Sequence, residues 1–248
     1  MKPNRLLTIL FTLATLTVNA LANILPFNGQ TTGEISDRFA IRFVPAGYVF
    51  SIWGLIYLGL LAFAIYQALP AQRNNKVLDQ IAPLYWLASL ANGVWIVLWH
   101  YEYFTLTIFV MAVLLLALIA LYRRLRSAGQ PDAAFRLVAQ LPFSIYLGWI
   151  SVATIANAAQ LLYLLNWDAW GLSPEVWAVV MLVVASVLGL AMLLREGDWA
   201  YALVLVWAFA GIAVAQADRA LVANAAWALA AGLALLAAYT LVRKSAAP

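Results

Sequence analysis

Eight apolar runs, each about as long as a bilayer-spanning helix, constrain this chain more tightly than any motif within it. A hydrocarbon core of about 30 Å takes roughly 20 apolar residues at helical rise. Such runs lie near 6–25, 45–69, 82–99, 104–122, 137–165, 176–194, 200–217 and 221–242. The breaks between them collect charge, proline and glycine: Pro70 to Asn75, Arg123-Arg124-Leu125-Arg126 before Gly129 and Pro131, Gly171 to Pro174, and Arg195-Glu196-Gly197-Asp198. The runs lack the strict two-residue alternation of barrel strands, so they read as helices. Composition agrees, with 66% hydrophobic residues, 10% charged residues and a mean hydropathy of +0.92. A soluble domain carries about a quarter charged residues. An ordinary soluble enzyme, a disordered tail and a nucleic-acid module are therefore excluded. The absence of cysteine excludes a disulfide scaffold, an iron–sulfur site and a thiolate zinc site. The expected fold is an all-α integral membrane protein with about eight transmembrane helices.

Basic residues orient the spans. With the N-terminus in the cytoplasm and eight alternating spans, the cytoplasmic segments hold Lys2, Arg5, Arg73, Lys76, Arg123, Arg124, Arg126, Arg136, Arg195, Arg243 and Lys244. The far side holds only Arg38, Arg42 and Arg219. The positive-inside rule thus expects both termini in the cytoplasm, in a cytoplasmic or inner cell membrane. It also accounts for the net charge of +4 without a nucleic-acid partner, which would need a basic stripe on a soluble face. The first run has a competing reading as a signal peptide, because Lys2 and Arg5 precede it and Ala20-Leu21-Ala22 resembles a cleavage site. Its length of about 20 residues favours a retained helix.

The eleven tryptophans fall into two groups. Trp167, Trp170, Trp177 and Trp199 flank spans, where an indole suits the headgroup level. Others lie inside spans and share helix faces with polar groups. Trp53 and Tyr57 are i,i+4; Asn92, Trp95 and Trp99 are i,i+3,i+7; Trp149 and Asn157 are i,i+8, with Tyr146 one turn earlier. Three helices each present an aromatic stripe carrying a hydrogen-bonding group, and an asparagine in hydrocarbon must find a partner. Two readings stand together here: interhelical glue, or a pocket lined mostly by aromatics with few polar groups. No catalytic constellation appears. His100 is the single histidine, without a second imidazole for a metal, and Glu34, Asp37 and Glu102 lack the spacing of an acid/base pair. There is no phosphate loop or hydrolase motif, and no membrane-embedded acid of the kind that drives ion-coupled pumps.

Three motifs in order resemble the tryptophan-rich sensory protein family, which includes TspO and the mitochondrial translocator protein. Pro45-Ala46-Gly47-Tyr48-Val49-Phe50-Ser51-Ile52-Trp53-Gly54-Leu55-Ile56-Tyr57 resembles its second-helix signature, Pro-Pro-x-Trp-Val-Phe followed by Val-Trp-x-x-Leu-Tyr. Asn92-Gly93-Val94-Trp95 resembles the Asn-x-x-Trp of its third helix, and the segment from Trp149 to Ala159 the Trp-x-Ser-x-Ala-Thr-x-x-Asn of its fifth. Tyr48 stands where the family usually has tryptophan, a single proline replaces the pair, and Ile145 replaces a common proline. The resemblance covers residues 6 to 165. It implies a five-helix bundle with a pocket capped by the loop Pro26–Val44, and it also implies a retained first helix. Family members bind porphyrins, sterols and benzodiazepine-type drugs and are discussed as sensors and as transporters; light-dependent porphyrin breakdown claimed for some leaves enzyme activity open.

The expected organisation is a TspO-like five-helix domain over 1–165 and a three-helix extension over 166–248. In the extension, Ala226, Ala230, Ala234 and Ala238 form a ridge of small side chains suited to close packing or a homodimer contact. The expected function is ligand binding of the TspO type. A flat apolar ligand such as porphyrin, haem or a sterol would lie among Trp53, Tyr57, Trp95, Trp99 and Trp149, with Asn92 and Asn157 orienting it or bracing the helices. No obligatory cofactor, metal or nucleic acid is expected; the bilayer is the partner. A small-molecule transporter using the same cavity is the alternative, and a purely structural bundle a third reading.

Overall fold

A computed structural model describes residues 2–129 and 131–245, apart from the side chains of 243–245. Among these residues there are no strands, and eight long helices follow the eight apolar runs. They are α1 (Pro3–Ile24), α2 (Gly47–Ala68), α3 (Lys76–His100), α4 (Phe104–Arg126), α5 (Ala133–Leu164), α6 (Pro174–Glu196), α7 (Trp199–Ala215) and α8 (Ala220–Ser245). Seven are long and apolar enough to cross a bilayer, while α7 is apolar and only 17 residues long. The chain is an all-α multi-pass membrane protein. Of the residues used for orientation, the side chains of Arg243 and Lys244 lie outside the described residues.

The first helix shows which solvent this fold is built for. Thr12 and Asn19 are 0% and 3% exposed, whereas Leu10 and Leu13 are 51% and 49% exposed. Polar side chains point inward and leucines outward, the reverse of a surface helix in water. The inward stripe is Arg5, Thr8, Thr12, Thr15 and Asn19, spaced by three or four residues so that all lie on one face.

The third helix begins earlier than its apolar run, at Lys76 rather than near 82. The apolar run leaves out the charged Asp79. Tertiary contacts neutralise it, because Lys2 Nζ lies 2.8 Å and Arg5 Nη2 3.0 Å from its carboxylate and Asn4 Nδ2 donates to it at 2.7 Å. Asn75 caps the new start by accepting from Val77 N and Leu78 N at 3.1 and 3.3 Å, the usual service of an N-cap asparagine.

The chain forms two compact units. The first contains the residues up to Ile35 and Ser51–Ile150; the second contains Ser36–Phe50 and the residues from Ser151 onward. This partition differs from a division after residue 165, since α5 runs through it and the segment before α2 joins the second unit. The physical reason for the latter is specific. Ala46 N donates to Gly211 O at 3.1 Å, and Trp207 Nε1 donates to Val49 O at 3.1 Å. Tyr48, the departure from the family pattern, sets its ring edge against Trp207 at 5.5 Å. A Cβ on Gly211 would overlap Val49 Cγ2 and lie 3.1 Å from Pro45 Cβ, so only glycine lets this segment reach α7.

In the first unit α3 packs on α1 and α4, and α2 packs on α1 and on the π turn Arg136–Gln140 that opens α5. Gly59 of α2 faces Pro142 so closely that a Cβ would stand 2.7 Å from the proline Cβ. In the second unit α8 packs on α7 and α6. The expected alanine ridge only partly faces inward: Ala226 and Ala230 are buried, Ala238 is exposed, and Leu233 and Ala237 complete the buried face. Steps of four residues rotate around a helix by about 40° each, so a strict i,i+4 row drifts off the contact.

Candidate ligand-binding site

Of the site residues expected from sequence, Asn92 belongs to a polar ladder between α1 and α3. Thr8 accepts from Trp86 Nε1 at 3.0 Å, and the Thr12 hydroxyl shares a hydrogen bond with Tyr85 OH. Thr8 and Thr12 also donate to the carbonyls four residues back, at 2.9 and 2.8 Å, a local bond that satisfies a threonine inside a helix. Asn19 Nδ2 donates to Asn92 Oδ1 at 2.7 Å, and Asn92 Nδ2 donates to Tyr146 OH at 2.9 Å. Asn92, 1% exposed, is thereby held by α1 on one side and α5 on the other. Hydrogen bonds of this kind in a bilayer contribute about 0.6 to 1.7 kcal/mol each.

Tyr146 joins this ladder to the aromatic stripes. Trp53 stacks on Tyr57 at 5.4 Å, and its ring edge meets Tyr146 at 5.8 Å and Trp149 at 6.3 Å. Trp53, Tyr57, Asn92 and Trp149, from three helices, therefore gather around one tyrosine. Trp149 and Tyr146 are buried, while Trp53 and Tyr57 are partly exposed. Trp95 and Trp99 make a second centre, stacked at 5.0 Å, with Phe104 against Trp99 at 5.5 Å. Asn157 is buried two turns beyond Trp149 on α5 and belongs to the second compact unit.

The loop after α1 closes onto the end of α3 through His100, which is 0% exposed. Its Nδ1 lies 3.3 Å from Phe27 O and its Nε2 3.0 Å from Thr32 Oγ1. A carbonyl only accepts, so Nδ1 carries the proton and neutral Nε2 accepts from the threonine hydroxyl. Trp99 Nε1 donates to Thr32 O at 3.3 Å, and Asn28 Nδ2 donates to His100 O at 3.1 Å. The histidine thus anchors the start of the loop the family resemblance expects as a cap. The short helix Thr32–Asp37 that follows opens with a reciprocal box: Thr31 N donates to the Glu34 carboxylate at 2.7 Å and Glu34 N to Thr31 Oγ1 at 3.3 Å, as capping boxes do. The bond from Thr31 N, and after it one from the Thr31 hydroxyl at 2.9 Å, hold the Glu34 carboxyl below its ordinary range.

The second unit contains a cavity of about 680 Å³. One wall is the α5 face around Ile155, Ala158, Ala159 and Leu162; the others are Ile41, Phe43, Tyr163, Trp167, Trp170 and Trp177. The three indoles pack together, with ring centres 5.0 to 5.5 Å apart, and Trp177 Nε1 donates to Ala169 O at 2.7 Å. The loop carrying Trp167 and Trp170 holds Asn166, Ala169 and Trp170 at positive φ, a conformation that costs non-glycine residues about 1–3 kcal/mol each. None of the cavity-lining residues is among those expected from helical stripes. The available signal was three tryptophans within eleven residues, at 167, 170 and 177. A loop has no helical period to show that they converge. The ladder on α1 had a clearer signal in the spacing of Arg5, Thr8, Thr12, Thr15 and Asn19.

A family model described as TSPO-like protein matches residues 5–239. The chain belongs to the TSPO-like family. The match continues past residue 165 through α6, α7 and most of α8, so the three C-terminal helices lie inside the region matched by this TSPO-like model. No curated protein and no solved structure matches the chain.

Proposed function

We propose that this TSPO-like membrane protein binds a flat apolar ligand, of the porphyrin, haem or sterol type, at the polar-aromatic centre of its first unit. The observation that carries the reading is the meeting of Trp53, Tyr57, Trp149 and Asn92 around Tyr146. Stacked Trp53 and Tyr57 offer a planar apolar surface with a partly exposed side. Trp149 backs it, and Asn92, oriented by Asn19, supplies a fixed dipole. Trp95 and Trp99 extend the aromatic lining toward Thr32, and Asn157 continues the Trp149 stripe along α5. Few polar groups in an aromatic setting are what small-molecule sites usually provide. Both termini face the cytoplasm in this reading, supported by the eleven basic residues assigned to that side against three on the other.

Titration with hemin or protoporphyrin in detergent should quench tryptophan fluorescence saturably. Trp149→Ala should weaken the binding by about tenfold, as expected for one lost aromatic contact and its buried area. Fluorescence unchanged up to the solubility limit of the porphyrin would sink the proposal. Flux in proteoliposomes separates the two functional classes: ligand movement across the membrane identifies a transporter using this site, and binding without flux a sensor.

A further inference from the structure

We propose that the second unit holds a separate site for an anionic amphiphile, with an acyl chain in the aromatic cavity and a carboxylate or phosphate at Arg42. The cavity, about 680 Å³, is within the size that encloses a ligand rather than a water or two. Its α5 wall is smooth because Ala158 and Ala159 carry only a methyl group, and Trp167 and Trp177 stand among the side chains that enclose it. An apolar space of this size in a membrane protein is filled at least cost by the apolar chains around it.

Arg42 gives the cavity its polarity. It is the single charged residue among the described residues lining the space. Its buried Nε makes no hydrogen bond, although it stands 3.5 Å from Glu175 Oε1. A guanidinium N–H left without a hydrogen bond is costly and invites an acceptor. Arg219 shares the same Glu175 oxygen at 3.9 Å, while its other partner, Asp218, is 71% exposed. Arg38 lies over the Phe39 ring, and that ring meets Tyr163 of the cavity wall at 6.1 Å.

The distribution of arginine makes this arrangement informative. Arg38, Arg42 and Arg219 are the three basic residues that run against the positive-inside bias. A residue that opposes that bias needs a reason other than topology; Arg42 lines this cavity, Arg219 shares its Glu175 partner, and Arg38 lies over Phe39, whose ring meets the cavity wall at Tyr163. The indoles there flank helix ends, at the level where headgroups lie. A lipid with its head at Arg42 would run its chain along α5 between the alanines and the tryptophans. The left-handed backbone at Ala169 and Trp170 is what turns those rings together.

The test is native mass spectrometry of the full chain from a non-ionic detergent. Phosphatidylglycerol, phosphatidylcholine with the same chains, and oleate would be titrated in parallel. The wild type should retain one phosphatidylglycerol, about tenfold more tightly than phosphatidylcholine, as expected for a charge-assisted contact. Arg42→Gln should erase the preference and Arg42→Lys should keep part of it. Ala159→Trp fills the space while leaving the ion pair intact, and it should abolish phosphatidylglycerol and oleate binding together. Oleate retained without phosphatidylglycerol supports the same chemistry with a free acid as its source. Equal retention of both phospholipids, or adducts unchanged by both Arg42→Gln and Ala159→Trp, overturns the proposal. If Arg42→Gln elutes as an aggregate, Ala159→Trp decides the outcome alone. Porphyrin quenching in the same variants should stay at the wild-type level, which keeps this site distinct from the one in the first unit.

Discussion

The two compact units hold their helices together by different chemistry. In the first, α1 and α3 are cross-linked by side-chain hydrogen bonds from Asp79 through Tyr85 to Asn92. In the second, α6, α7 and α8 meet at small residues: Gly189 lies where a Cβ would touch Leu205 and Leu233, and Ala226 and Ala230 are buried, while Gly211 of α7 lies against Val49 at the start of α2. Lipid gives apolar helices little reason to prefer one another over acyl chains, so association rests on close packing or on polar bonds. A region of the first type specifies its geometry bond by bond. A region of the second type depends on shape, and it tolerates a cavity where the shapes do not close.

The contrast can be broken by substitution, beginning where the largest effect is expected. Asp79→Ala should destabilise the protein by about 3 kcal/mol, because Arg5, 3% exposed, keeps a buried charge without its carboxylate. Lys2→Ala removes the more exposed partner, at 37%, and should cost under about 1 kcal/mol. Thermal unfolding in detergent compares the two, and equal losses would show that the ladder is not anchored by burial. Gly211→Val should cost about 1–3 kcal/mol through overpacking against Val49 and Pro45. It should also separate Trp207 from Val49 O, to which its Nε1 donates at 3.1 Å, readable as a changed indole emission. Asn92→Leu should cost about 1 kcal/mol in the same unfolding assay, whereas Asn224→Leu, on an exposed face of α8, should change nothing. If Asn224→Leu matched Asn92→Leu, the second unit would also rely on polar bonds.

Much of the first unit was legible. Length and hydropathy located all eight helices, and the i,i+3 and i,i+4 spacing of Trp53, Tyr57, Asn92 and Trp149 placed them on faces that do converge. α3 extends ahead of its apolar run because the charge of Asp79 is met by partners more than 70 residues away. His100 read as a lone histidine without a metal partner, and the structure buries it fully and ties it to Phe27 and Thr32. The cavity in the second unit was not legible at all. Trp167, Trp170 and Trp177 occupy a loop and a helix start, and their meeting follows from three residues at positive φ that no hydropathy pattern encodes.

By itself, the sequence determined the solvent, the number of helices and the aromatic faces of α2, α3 and α5. Those follow from transfer free energy and helical periodicity, which act on each segment alone. Only the tertiary structure decided which polar groups pair, where the segment Pro45–Val49 docks, and where packing leaves room. Those outcomes depend on contacts between residues far apart in the chain, and on shapes that exist only once the helices have met.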